Sequence, residues 1–441
     1  QCRNLITLAI ETSCDDTAVA ILEKHGANTS PRPPQRATLH FNEKLTSNNT
    51  IYKGIHPLVA LESHQRNLAV LVNQALARLP SADLDDGRDP VFSTGRTVSV
   101  HNAKSGKMES RKCPDFISVT RGPGMRSNLA TGLDMAKGLA VAWQIPIVGV
   151  HHMQAHALTP RLMSALEAEY SSDDHSSPAF PFLSLLVSGG HTLLVHSERL
   201  TEHRVLADSD MAVGSAIDKI ARLVLPPEII SSSLSTMYGA VLERFAFPNG
   251  LSYDYAPPAS KAVEDRRRGN ELWPWSFSLP LNETSGGQKK YSMEFSFSGT
   301  VSAVERFMKY DQQSETVKSL RTEDVSYAER QALARESMRV CFEHLASRVT
   351  LALDSMKTPM STLVVSGGVA SNVFLRHILA EWLTVRGYPD VKLSCPPPAL
   401  CTDNAAMIAW AGCEMYEQGW RSDLGITARR KWPLGPSNSG G

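Results

Sequence analysis

The residues whose spacing carries most chemistry are His152-Met153-Gln154-Ala155-His156. Histidines four positions apart on a helix share a face, and two imidazoles so placed can bind one metal ion. The same pair can also simply pack or cap near a helix start. On spacing alone that plainer reading ranks first, and a third ligand would reverse the order. Asp403, in Cys401-Thr402-Asp403-Asn404-Ala405-Ala406, stands after a Pro-rich stretch and before a small-residue helix. An aspartate there is either a helix N-cap or a carboxylate ligand, and the residues leave both open. A zinc peptidase of the H-E-x-x-H type needs Glu directly after the first His as general base. Here that position is Met153, and Gln154 cannot accept a proton in its place, so this route to peptide hydrolysis is disfavoured. There is no G-x-S-x-G elbow and no G-x-x-x-x-G-K-[ST] loop, so a serine triad and a Walker-type ATPase lack support. Arg266-Arg267-Arg268 could touch RNA phosphates, but a run of three in an irregular segment is more often solvated surface.

The elements that must position these residues can be read from apolar runs. Leu5–Ile10 and Ala18–Leu22 flank the polar stretch Glu11 to Thr17, which reads as strand, tight turn, strand. Residues 28–50 are expected to be a surface loop and 80–113 an inserted loop. His64–Leu79 has a helical apolar face. Phe116–Val119 reads as a buried strand, Asn128–Trp143 as a helix and Ile145–Val150 as another strand. Phe182–Val187 is a strand ending in Ser188-Gly189-Gly190, and Thr362–Val365 is a strand ending in Ser366-Gly367-Gly368. Glycines directly after a strand let the backbone turn sharply and approach a ligand, and free N–H groups there can hold a phosphate. Two such turns, with the acidic turn at 11–17, point to a nucleotide held between two related halves. Residues 249–292 are expected to be irregular and Ser326–Met356 largely helical.

Composition sets the outer limits. The 441 residues suffice for two or three domains, and 42% hydrophobic with 20% charged residues is globular. Lys+Arg and Asp+Glu are both 45, which excludes a polybasic protein and leaves any nucleic-acid contact to a local patch. No apolar run reaches the roughly 18 residues of a membrane span. Seven cysteines without a C-x-x-C argue against a disulfide scaffold and for a reducing compartment. The chain opens at Gln1, and an upstream segment, targeting or otherwise, is expected to have been removed.

Six motifs stand in an order that resembles the TsaD family, the tRNA threonylcarbamoyladenosine transferases. They are Ile10 to Thr17 (I-E-T-S-C-D-D-T), the His152/His156 pair, Leu186 to Thr192 (L-V-S-G-G-H-T), Phe295 to Gly299 (F-S-F-S-G), Ser366 to Asn372 (S-G-G-V-A-S-N) and Cys401 to Ala405 (C-T-D-N-A). The closing Lys431-Trp432-Pro433-Leu434 is also similar to the end of that family. The E-T-S-C-D-D-T form resembles the bacterial and mitochondrial branch. Gly214-Ser215-Ala216-Ile217-Asp218-Lys219 departs from the bacterial G-E-A-F-D-K, and Met237-Tyr238-Gly239-Ala240 is reduced from Y-P-G-G-P. These departures, with the long insertions, look like the mitochondrial, fungal-type member.

The resemblance implies an α/β, two-lobed actin-like/sugar-kinase (ASKHA) fold with a nucleotide cleft between the lobes. The first lobe is expected over 1–150, with a C-terminal helix at 404–441 packing back on it. The second is expected over 151–403, with an irregular insertion at about 249–292. The resemblance implies transfer of a threonylcarbamoyl group from threonylcarbamoyl-AMP to N6 of the adenosine 3′ of the anticodon, in tRNAs reading ANN codons. By position, His152, His156 and Asp403 are implied metal ligands for one divalent ion per subunit, with Zn, Fe and Mn not distinguished. Leu186, Val187, Ser188, Gly189, Gly190, Asp218, Gly239 and Asn372 are implied adenylate contacts, and no protein nucleophile is implied. The expected partners are tRNA, a separate synthase supplying threonylcarbamoyl-AMP, and a second copy of the chain in a homodimer. No membrane is expected, and the location is the mitochondrial matrix. The competing readings are a nucleotide-binding scaffold subunit and an actin-like ATPase without transferase activity.

Overall fold

A computed structural model describes residues 4–26, 35–49, 52, 54–82, 96–101, 106–167, 177–233, 238–250, 255–266, 272–281, 289–312, 319–321 and 323–435. Met237, Arg267 and Arg268 lie outside them. The chain forms two compact units. One comprises Gln1–Ala179, Leu200–Glu202 and Thr402–Gly441, and the other Phe180–Arg199 and His203–Cys401.

The first unit opens with β1 (Leu5–Glu11), β2 (Asp16–Lys24), β3 (Ala37–Thr46), α1 (Pro57–Leu76), β4 (Thr97–His101) and β5 (Met108–Lys112). It continues with β6 (Phe116–Gly122), α2 (Arg126–Trp143), β7 (Ile147–His151) and α3 (His152–Glu167). Its sheet has the order β3-β2-β1-β6-β7. The first three strands are antiparallel neighbours, while β1–β6 and β6–β7 are parallel. β1 is buried throughout, as an apolar run covered on both faces must be. On one face Ile6, Leu8 and Ile10 join Leu68 and Leu71 of α1 and Leu133 of α2 in a common core.

The second unit contains β8 (Phe182–Val187), β9 (Thr192–Arg199), β10 (Glu202–Ser209), α4 (Val213–Val224), α5 (Pro227–Ser232), α6 (Tyr238–Ala246), α7 (Lys261–Arg266) and β11 (Glu294–Phe295). It is completed by α8 (Ser298–Lys309), α9 (Tyr327–Ser355), β12 (Thr362–Ser366), α10 (Val373–Val385), β13 (Lys392–Ser394) and α11 (Pro398–Cys401). Its sheet has the order β11-β10-β9-β8-β12-β13. The long α9 is buried along most of its length against α4, α6, α8 and α10. Trp382 of α10 is fully buried and donates its indole N–H to Thr350 Oγ1 of α9 at 2.9 Å.

The chain then returns to the first unit as α12 (Ala405–Glu417), which packs on β1, β2, β6 and α3. Tyr416 stacks on Phe116 of β6 with ring centroids 4.1 Å apart.

Several expectations need correction. The segment 28–50 holds a strand, β3, rather than only a loop. It pairs with β2 from Asp16↔Thr46 to Lys24↔Ala37 across one bulge. β3 is an edge strand, so it needs no apolar alternation to be stable. Within 80–113, β4 and β5 form an antiparallel hairpin. In 249–292 the short helix α7 breaks the irregular run. The helix after Asp403 stops at Glu417, and the described residues beyond it, 418–435, are turns and irregular chain, with Ser422 bridging Ile147. The division between units falls after Ala179 rather than residue 150, because α3 packs on β3, β7 and α12. The two Ser-Gly-Gly turns lie side by side in the second unit, since β8 and β12 are parallel neighbours with Leu186 beside Ser366. Among the described residues no helix is long and apolar enough to cross a membrane. The six described cysteines are free thiols.

Candidate functional site

β7 runs directly into α3, so His151 ends the strand and His152 starts the helix. The join is held by His151. Its Nδ1 accepts from the backbone N–H of Met153 at 3.1 Å and of Gln154 at 3.4 Å, satisfying groups a helix start leaves open. Its Nε2 lies 2.9 Å from the carbonyl of Trp432 and donates to it. One turn apart on α3, the rings of His152 and His156 have centroids 4.7 Å apart and stand almost perpendicular, at 87°.

Asp403 arrives from the other end of the chain. Its Oδ1 is 3.4 Å from His152 Nε2 and 3.1 Å from His156 Nε2. Metal–ligand bonds of roughly 2.0–2.1 Å place neighbouring donors on one ion about 3.0–3.5 Å apart, and both aspartate–histidine spacings fall there. The three side chains offer ligand atoms within 4.8 Å of one another, so two imidazoles and a carboxylate fit one divalent ion. The N-cap alternative for Asp403 is settled by its neighbour. Asn404 caps α12, its Oδ1 accepting from Met407 N at 3.0 Å.

Sequence reasoning missed the residues that aim this set. Glu11, fully buried at the end of β1, places Oε2 3.1 Å from His152 Nδ1, and Ser13 Oγ lies 3.3 Å from the same nitrogen. Thr120 Oγ1 and the Ser13 N–H donate to the Glu11 carboxylate. A carboxylate on the far nitrogen fixes an imidazole's tautomer and turns its Nε2 lone pair outward. Lys44 of β3 is the second omission. Its ammonium donates to Asp16 Oδ2 at 2.7 Å, Thr402 Oγ1 at 3.0 Å and the Asp403 carbonyl at 3.2 Å. The available signal for Glu11 was an acid closing an apolar strand before an acidic turn. For Lys44 there was none, because its segment reads as a loop.

Burial opposes every charge in this cluster, yet three groups hold theirs. His152 is raised well above the ordinary imidazole value because Asp403 and Glu11 flank it, and the proton it holds would leave when the ring ligates an ion. Facing His152, Asp403 lies well below the usual carboxylate range and Glu11 below it. His156 is pushed down, by burial first, toward the neutral form that ligates metals. Its Nδ1 is buried without a hydrogen-bond partner.

The adenylate positions expected from sequence all lie in the second unit. Leu186 and Val187 are buried in β8, and Ser188, Gly189 and Gly190 form the turn into β9. Ser188 Oγ accepts from Gly190 N at 3.2 Å and His191 N at 3.0 Å. The companion turn needs its glycine. Gly367 has φ +99°, and a Cβ there would meet the Val187 carbonyl at 2.4 Å. Phosphate-binding turns belong at the carboxyl ends of parallel strands, which is where β8 and β12 place this pair. Asp218 of α4 accepts from Arg222 Nε at 2.9 Å, and the Arg222 guanidinium lies 4.5 Å from the Tyr238 ring, next to Gly239. Asn372 caps α10 through Leu375 N at 2.9 Å. Glu243 of α6 accepts from Val373 N at 2.8 Å, tying the helix of Gly239 to the helix start of Asn372.

The family model described as "TsaD: tRNA N6-adenosine threonylcarbamoyltransferase" matches residues 107–410. The mitochondrial tRNA N6-adenosine threonylcarbamoyltransferase of Schizosaccharomyces pombe is 35% identical over 98% of this chain and 87% of its own. The tRNA N6-adenosine threonylcarbamoyltransferase of Novosphingobium aromaticivorans is 30% identical over 97% of this chain and 95% of its own. Among solved structures, HypF of T. kodakarensis covers 95% of this chain and 48% of its own at 12% identity and a TM-score of 0.43. YeaZ from Pseudomonas aeruginosa covers 46% of this chain and 63% of its own at 16% identity and a TM-score of 0.23. With two-thirds of its length matched by the family model and relatives aligned nearly end to end, the chain belongs to the TsaD family of tRNA N6-adenosine threonylcarbamoyltransferases, an α/β actin-like fold.

Proposed function

We propose that this chain forms threonylcarbamoyladenosine in tRNAs that read ANN codons, using threonylcarbamoyl-AMP from a separate synthase. The N6 amine of the adenosine 3′ of the anticodon attacks the carbamoyl carbonyl carbon. A C–N bond forms, the bond from that carbon to the phosphate oxygen breaks, AMP leaves, and the amine loses a proton. The donor is a mixed anhydride with a good leaving group. The site therefore has mainly to align amine and carbonyl and to stabilise charge on phosphate and carbonyl oxygen. No protein nucleophile is required.

His152, His156 and Asp403 hold one divalent ion, and Zn, Fe and Mn all suit that donor set. When bound, the ion supplies Lewis-acid stabilisation of phosphate charge. Glu11 keeps His152 in the ligating tautomer. In the second unit, Leu186 to Gly190, Gly239 and Asn372 contact the adenylate, and Asp218 accepts from ribose hydroxyls. The observation that carries this reading is the convergence of two imidazoles and Asp403, backed by buried Glu11, within a chain of this family. The name of the S. pombe relative supports a mitochondrial location, and we place the chain in the matrix, working as a homodimer.

The test mixes purified protein, an unmodified ANN-decoding tRNA and threonylcarbamoyl-AMP, with nucleosides read by mass spectrometry. Modified adenosine from this protein alone is expected. Absence of product, with or without added partner subunits, overturns the reading in favour of a scaffold or an ATPase.

A further inference from the structure

In the first unit, residues 427–430 run back along the end of β6. Arg429 N donates to the Arg121 carbonyl at 2.8 Å and Gly124 N to the Arg430 carbonyl at 3.3 Å. The contact is close enough to require glycine at 122, where φ is +151° and a Cβ would strike the Arg429 carbonyl at 2.1 Å. This pairing fixes two guanidinium groups against one indole. Arg121 lies 5.7 Å and Arg429 5.0 Å from the Trp432 ring. Arg430 and Lys431 are exposed beside them. Four cations thus occupy one rigid corner of a chain whose formal net charge is +0, with Asp423 the carboxylate acting on Arg121. Burial and the neighbouring Arg429 both lower the Arg121 guanidinium from its ordinary value, with Asp423 opposing them.

The corner is joined to the metal ligands by two routes. The Trp432 carbonyl accepts from His151, the strand residue that directly precedes the helix of His152 and His156, and the two rings lie 4.7 Å apart. The loop after Arg121 touches the other support, with Met125 N donating to the Ser13 carbonyl at 2.9 Å. Ser13 in turn contacts His152.

We propose that Arg121, Arg429, Arg430 and Lys431, stacked around Trp432, bind backbone phosphates of the tRNA beside the metal-bearing helix. Guanidinium groups suit this role, because their planar forks pair with phosphate oxygens and stack on aromatic faces at once. The inference rests on the transferase reading only for its choice of polyanion. A nucleotide phosphate has the same chemistry, so the test separates the two sources.

The variant is Arg429→Gln/Arg430→Gln/Lys431→Gln. Binding of unmodified tRNA is measured from 50 to 200 mM salt without adenylate, alongside the KM for threonylcarbamoyl-AMP and metal content. The expected result is a tRNA Kd at least tenfold weaker at low salt. The log–log salt slope should fall by about 2 to 3, as for the loss of three phosphate contacts. Metal content and the adenylate KM should stay as in the wild type. The Arg429→Lys/Arg430→Lys double variant should keep the slope. An unchanged Kd and slope overturn the proposal, as does a raised adenylate KM with intact tRNA binding, which gives the corner to the nucleotide instead. If the triple variant unfolds, the exposed single changes Arg430→Gln and Lys431→Gln should each lower the slope by about 0.7–0.9. A wild type that binds tRNA through this corner yet forms no modified adenosine overturns the transferase reading and leaves the surface standing.

Discussion

His152 is held from both sides, by Glu11 on Nδ1 and by Asp403 across Nε2, and this makes the two carboxylates unequal in effect. His156→Ala is expected to remove bound metal and abolish transfer while the fold survives, checked by elemental analysis, product mass spectrometry and thermal unfolding. Normal activity in a metal-free His156→Ala protein would sink the metal assignment. Glu11→Gln should keep all three ligands yet weaken metal affinity about 10- to 100-fold, as the loss of such a support does elsewhere. Glu23 adds a further contribution to acid stability. Burial opposes the Glu23 charge, but hydrogen bonds from His40 at 2.9 Å and Asn4 at 2.7 Å hold it at about 2, below its ordinary 4.5. A carboxylate depressed in the fold stabilises it above the unfolded value and loses that stabilisation as pH falls. Stability should therefore drop between about pH 4.5 and 2, and Glu23→Gln should flatten that part of a pH series of unfolding midpoints. His152, His156 and Asp403 were singled out together only through the resemblance to the family's motifs, since spacing alone ranked packing first for the histidine pair and left an N-cap open for Asp403. Glu11 was not, because its role depends on contacts with Thr120 and His152, far along the chain.

At the scale of elements, the strands and helices flanking the site were legible wherever burial is two-sided. β1 and β8 are predominantly apolar runs, broken only by Thr7 and the closing Glu11 in the first and Ser184 in the second, and could be placed to within a residue or two. The edge strand β3 was not, since its outward residues are polar and Pro- and Asn-rich sequence surrounds it. That lapse matters, because Lys44 on β3 pins the Thr402–Asp403 turn. Lys44→Met should lower metal affinity with little change in unfolding midpoint, whereas a merely structural role would move both together. The paired glycine turns make a separate prediction. Gly367→Ala forces a Cβ onto the Val187 carbonyl at an unfavourable φ. It should cost about 2 kcal/mol or more and raise the KM for the adenylate, read by denaturant unfolding and steady-state kinetics.

For the whole molecule, the sequence indicated two α/β units but not their boundaries. Strand and helix patterns are local, whereas the boundary is set by which unit α3 and the C-terminal segment pack on. The first unit is discontinuous, and α12 covers the β1–β2–β6 face from the far end of the chain. That interleaving has a consequence for synthesis. The ribosome makes most of the first unit early, then the whole second unit, and only then Asp403 and α12. At roughly 5–20 residues per second, Phe116 and its neighbours wait on the order of fifteen to sixty seconds for their cover. A chain cut short before Asp403 keeps both histidines and lacks the carboxylate proposed to join them.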